Sequence, residues 1–68
     1  MKVFRKDNHL FVLDNVKYVE AEEIRSSSSR YKIRFYYNDG SIHSVIFLGN
    51  SIQMQSTLTV IMTIMQAE

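Results

Sequence analysis

The sequence predicts an α+β fold, a small antiparallel sheet of four to five strands followed by one C-terminal helix, in ββββα order within a single domain spanning 1–68. Three observations carry this expectation. Arg30 to Tyr37 alternates cleanly, with Tyr31, Ile33, Phe35 and Tyr37 on one face and Arg30, Lys32, Arg34 and Tyr36 on the other, the period-two signature of a strand. Asn38-Asp39-Gly40 then separates it from the apolar run Ile42 to Leu48, which marks a hairpin. Finally, Met54, Leu58, Ile61 and Met65 recur at helical spacing after Asn50.

The remaining elements follow in order. Val3-Phe4 and Leu10 to Leu13 flank the polar Arg5 to His9, which reads as a hairpin or as an edge strand with a bend. Asp14-Asn15 supplies turn chemistry, and Val16 to Ile24 reads as a long strand. Its alternation is imperfect, so a bulge near Glu20 is expected, with a helical turn over Glu20 to Arg25 as the competing reading. Ser26 to Ser29 is too rich in backbone-competing hydroxyls to continue a strand, so 25–30 is read as a flexible loop and 1–48 as the sheet. The helix is assigned to 51–67, with Asn50 and Gln53 spaced as a capping-box pair and Ser51 as an alternative N-cap. Its apolar arc, widened by Met62, Val60 and Ile64, covers roughly 200°, about twice the stripe that packs on a sheet.

The distribution of charge is as informative as the periodicity. From Gly40 to Ala67 there is no Asp, Glu, Lys or Arg, and 14 of the 15 such residues precede Gly40. With 68 residues and no cysteine, the chain is near the size at which a monomer buries only ~60% of its unfolded surface, and oligomerisation is the usual remaining means of stabilisation. A homo-oligomer, most simply a dimer, is therefore expected, joined through Met54, Leu58, Ile61, Met62 and Met65 of the helix and through the apolar sheet face. The apolar content of 46% argues against disorder, and a net charge of +1 argues against a protein driven by bulk charge to polyanions. No signal-peptide h-region or bilayer-length apolar run is present, so the expectation is a soluble cytoplasmic protein without membrane attachment.

The register of the last hairpin decides which residues face the core. A two-residue Asp39-Gly40 loop pairs Tyr37 with Ile42 and leaves Val45 and Phe47 on the face of Lys32 and Arg34. A three-residue Asn38-Asp39-Gly40 loop with a bulge at Gly40 instead turns Val45 and Phe47 inward and Ile42, Ile46 and Leu48 outward. Apolar residues occupy both faces of that strand in either case. One helix covers one face, so a second copy is expected over the other, the alternative being the N-terminal segment of the same chain.

Arg30, Lys32, Arg34 and Tyr36 form a basic stripe ending in an aromatic, the arrangement in which cations neutralise phosphates and a ring stacks a base. His43 joins it in the two-residue register. The competing reading is a solvated face whose cations pair with Glu20, Glu22 and Glu23. Those glutamates lack the Asp, Asn or carbonyl ligands of a Mg²⁺ or Ca²⁺ loop, and His9 and His43 have no further ligand at zinc spacing. The serine tract has no accompanying phosphate loop. No nucleophile–base set is assembled, so the expectation is a protein without enzymatic activity, cofactor or metal.

The order strand, turn, strand and helix over Tyr31 to Met65, with its Tyr31-Lys32-Ile33-Arg34 segment, resembles the small dimeric single-strand-binding domains of the positive-cofactor type. The likeness covers about half the chain and lies in element order, whereas the low cationic content departs from that family; pleckstrin-like modules share the same order. Three functional readings follow. The leading one is a homo-oligomeric binding or adaptor module that meets a protein partner or an anionic ligand. The others are a single-stranded nucleic-acid binder and a small viral or mobile-element accessory protein that blocks a host factor or sequesters a nucleotide.

Overall fold

The computed structural model describes residues 1–24 and 29–67. It contains two antiparallel sheets followed by one helix: β1 (Val3–Lys6) and β2 (His9–Val12) form a hairpin; β3 (Val16–Ile24), β4 (Arg30–Tyr37) and β5 (Ile42–Leu48) form a three-stranded sheet in that order; α1 spans Ser51–Gln66. The expected α+β class, four to five antiparallel strands before a C-terminal helix, is the observed one, with five strands that divide between two sheets rather than forming one. Most of the loop expected at 25–30 lies outside the described residues.

Local chemistry explains each connection. The first hairpin closes with two residues, Asp7 and Asn8, both at positive φ (51° and 66°), the backbone of a type I′ turn in which Asx side chains are tolerated. Leu13 to Val16 is a tight turn closed by the Val16 N–H on the Leu13 carbonyl at 3.1 Å. Along β3 the irregularity falls between Val16 and Tyr18 rather than near Glu20. The strand then runs straight to Ile24, so the helical alternative for this stretch is overturned: Glu20, Glu22 and Ile24 pair in register with Arg34, Lys32 and Arg30.

The β4–β5 register is that of the three-residue loop. Tyr36 pairs with Ile42, Ile33 with Val45 and Tyr31 with Phe47. The Tyr37 N–H donates to the Ser41 carbonyl at 2.9 Å and the Gly40 N–H to the Tyr37 carbonyl at 3.0 Å, with Gly40 at φ +91°. This is a type I turn followed by a bulge that needs a positive φ, which glycine adopts without a Cβ penalty. Asp39 completes it by accepting from the Ser41 N–H and hydroxyl at 2.9 and 2.6 Å.

The inner face of the sheet presents Tyr31, Ile33, Phe35 and Phe47, all buried. Two lids share this face. The hairpin brings Phe11 against Phe35, ring centroids 5.0 Å apart, and Phe4 against Phe11 at 5.9 Å. The helix packs chiefly against β3 and buries Met54, Thr57 and Ile61; the Thr57 hydroxyl meets the Tyr31 hydroxyl at 2.8 Å, which satisfies two polar groups that would otherwise be costly to bury. The N-terminal segment therefore adds to the inner core and leaves the outer sheet face open.

Both helix ends are capped. Asn50 and Gln53 form the full capping box, each side chain accepting from the other's backbone N–H at 2.8–2.9 Å, an arrangement that contributes about 1 kcal/mol. The last turn holds no basic residue, and the Lys2 ammonium takes that role from the other end of the chain, donating to the Met65 carbonyl at 2.7 Å. A cation there complements the helix dipole and ties the residue before β1 to the last turn.

Candidate functional site

The outer sheet face is built from three parallel rows. Tyr18, Glu20, Glu22 and Ile24 come from β3, Arg30, Lys32, Arg34 and Tyr36 from β4, and Ile42, Ser44, Ile46 and Leu48 from β5. The surface thus passes from acidic to basic to apolar across about 10 Å, given the ~4.8 Å strand spacing. The basic stripe expected from the sequence is present, and much of it is engaged. The Arg34 guanidinium donates to Glu22 at 2.6 Å and to Glu20 at 3.4 Å. The Tyr36 hydroxyl donates to Glu20, and its ring stacks on Tyr18 with centroids 4.3 Å apart and planes 13° from parallel.

His43 does not join this stripe. Because the loop has three residues, His43 pairs with Phe35 and belongs to the opposite face, where its ring lies 6.3 Å from Phe11. His9 approaches the same phenylalanine at 6.0 Å. Both histidines line an open cleft of about 720 Å³ between the first hairpin and the β4–β5 turn, with Asn15, Tyr37 and Asp39 among its other walls. No group of three His, Cys, Asp or Glu side chains able to hold a metal ion occurs among the described residues. Glu23 is likewise separated from Glu20 and Glu22, since it pairs with Tyr31 on the inner-facing parity.

The helix residues expected to mediate self-association divide. Met54 and Ile61 are buried in the protein's own core, and Leu58 and Met65 are half-buried. Of the five, only Met62 is exposed; Ile52 and Val60 are exposed beside it in the sequence of the helix. The sheet carries the larger share of uncovered apolar surface: Ile42, Ile46 and Leu48 are 57%, 53% and 73% exposed. Tyr18 escaped the sequence reading as a partner of Tyr36, although its parity with Glu20 and Glu22 carried the signal.

The electrostatics of the outer face set a pH window. The hydrogen bond from Arg34, then its charge, holds Glu22 below the ordinary value of 4.5; the Ser41 hydroxyl and then its N–H lower Asp39. A depressed carboxylate adds stability above its unfolded pKa that is lost as pH falls through the folded one. Tyr36 moves the other way: donation to Glu20 raises it above 10.0, so its contribution is present below that value and lost as pH rises through the raised one. These three groups are therefore expected to lower the urea midpoint as pH falls below about 5 and as it rises above about 10. Glu22→Gln is expected to make the acid limb shallower, leaving the part due to Asp39, and Tyr36→Phe to flatten the alkaline limb; limbs that keep their slopes would refute the assignment.

Comparison with protein-family models, with curated proteins and with solved structures finds no match to this chain. No helix among the described residues is long and apolar enough to cross a membrane.

Proposed function

We propose that this chain is a non-enzymatic, homo-oligomeric binding module whose uncharged β5–α1 half assembles the oligomer and whose charged strands meet a protein partner or an anionic ligand. One observation carries the reading. The stretch from Gly40 to Ala67, which holds no charged side chain, exposes six large apolar residues: Ile42, Ile46, Leu48, Ile52, Val60 and Met62. Scattered apolar residues are ordinary on a surface; three of them in one row of a sheet, uninterrupted by charge, are the composition of an interface. Light scattering at micromolar concentration is expected to give a dimer or a larger species, and a strictly monomeric mass would overturn the proposal.

Single-stranded nucleic-acid binding through Arg30, Lys32, Arg34 and Tyr36 is the second reading, supported by the stacked Tyr18–Tyr36 pair beside these cations. It is the weaker of the two, because Arg34 is already held by Glu20 and Glu22 and a nucleic acid would have to displace them. The absorbance ratio at 260 and 280 nm of freshly purified protein separates the two readings: a raised ratio favours nucleic-acid or nucleotide cargo, a protein-like ratio with an oligomeric mass favours the first.

A further inference from the structure

We infer that the oligomer is a dimer made by antiparallel pairing of β5 with β5 of a second copy, about a two-fold axis at Val45, to give a continuous six-stranded sheet. The inference rests on the proposed self-association and names its surface.

The hydrogen-bond parity of β5 comes first. In the strand order β3-β4-β5, β5 is an edge. The Tyr37 N–H bonds the Ser41 carbonyl and the Gly49 N–H bonds the Ser29 carbonyl, so in the alternating antiparallel ladder the odd-numbered residues of β5 bond to β4. The N–H and C=O groups of Ile42, Ser44, Ile46 and Leu48 consequently point to the open side. A two-fold at Val45 sets Ile42 opposite the partner's Leu48 and Ser44 opposite the partner's Ile46. Every hydrogen-bonded pair then joins two residues whose free groups face outward, and all seven residues of the strand are used.

Side-chain chemistry agrees with the backbone. On the outer face, Ile42 meets the partner's Leu48 and Ile46 packs beside them, joining two half-exposed apolar rows into one band. The rows of Arg34, Glu20 and Tyr36 flank the band on each side, an apolar centre with a polar rim. On the inner face, Val45 meets the partner's Val45 and His43 meets the partner's Phe47. A seven-residue edge is about 24 Å long, so pairing adds the backbone hydrogen bonds of four residue pairs to the contact between the two apolar rows.

The two edges of the sheet are treated differently. β3 carries Lys17, Glu20, Glu22 and Glu23 and a register shift between Val16 and Tyr18, the charges and irregularity that discourage edge-to-edge pairing. β5 has no charge, no proline and no register shift against β4. Guarding one edge and leaving the other bare selects a closed dimer over an open-ended fibre.

Because the protein has no cysteine, a single introduced thiol reports the geometry. Val45 and its symmetry mate form a non-hydrogen-bonded pair with Cα atoms about 4.5 Å apart, within the range a disulfide spans. Val45→Cys is expected to oxidise to a covalent dimer at least about tenfold faster than Met62→Cys on the exposed helix face. Should Val45→Cys fail to fold, as read by circular dichroism, the Ile42→Cys/Leu48→Cys double variant makes the same test at exposed positions and is expected to give a doubly linked dimer. Ile46→Lys is expected to halve the mass in light scattering while leaving the circular dichroism spectrum unchanged. A dimeric wild type that cross-links through Met62→Cys and not through β5 would overturn this inference and leave self-association standing. A monomeric wild type would overturn both.

Discussion

Phe35→Ala is expected to abolish cooperative folding. Phe35 sits at the middle of the central strand, wholly buried, between Val19 of β3 and His43 of β5 and under the ring of Phe11. Truncating a buried phenylalanine costs about 3–5 kcal/mol through lost transfer energy and the cavity left behind. A single core in a chain of this length supplies no more than about 3–5 kcal/mol, so the substitution removes the margin of stability. Phe11 has its nearest ring contact with the sheet at Phe35, and Phe4 stacks on Phe11, which lets the loss spread to the first hairpin. Far-UV circular dichroism and urea titration test it. Phe35→Leu, which keeps most of the volume, is expected to retain a cooperative transition at a cost of about 1.5 kcal/mol. A Phe35→Ala protein that melts within a few degrees of wild type would show that the hairpin and sheet do not form one core.

Gly49→Ala carries the second large effect. Gly49 joins β5 to α1 at φ +153°, and an added Cβ would stand 2.9 Å from Tyr31 Cε1 and 2.9 Å from Gln53 Oε1. Neither neighbour yields cheaply. Tyr31 is fully buried and tied by its hydroxyl to Thr57, and Gln53 holds one half of the capping box. Backbone strain and overpacking together are expected to cost about 2–4 kcal/mol. Gly40→Ala is the matching control: its φ is also positive at +91°, but nothing lies within 4 Å of the added Cβ, so strain alone applies, about 1–2 kcal/mol. Urea midpoints for the two variants separate the terms. Equal losses would show that the close approach of Tyr31 to Gly49 contributes nothing.

Much of the architecture was legible in local chemistry. The alternation of Arg30 to Tyr37 placed β4 because side chains on a strand must take opposite faces. Asn50 and Gln53 marked the start of α1 because the first N–H groups of a helix need acceptors, and the bond pattern at that end is the one their spacing implied. The bulge in β3 was expected near Glu20 and lies between Val16 and Tyr18. Its position depends on where β3 pairs with β4, and no feature within Val16 to Ile24 encodes that pairing. The candidate site was legible in part. Arg30, Lys32, Arg34 and Tyr36 do share one surface, but His43 left them for the Phe11 side once the loop took three residues. The buried helix positions Met54 and Ile61 could not be told from exposed apolar ones by periodicity, because a 200° arc does not say which part meets the sheet.

The sequence by itself determined the order of the elements, the alternation within them and the concentration of charge in the N-terminal part, since these rest on contacts between residues close in the chain. Only the tertiary structure decided that the hairpin and the helix lie on the same face of the sheet, through Phe11 on Phe35 and Thr57 on Tyr31. The inner face offers Tyr31, Ile33, Phe35 and Phe47 whereas the outer face carries Glu20, Glu22, Lys32 and Arg34, so both lids pack on the same side through contacts distant in the chain. The consequence is that Ile42, Ile46 and Leu48 remain uncovered on the outer face, beside a strand edge whose free hydrogen-bonding groups match those of its own copy.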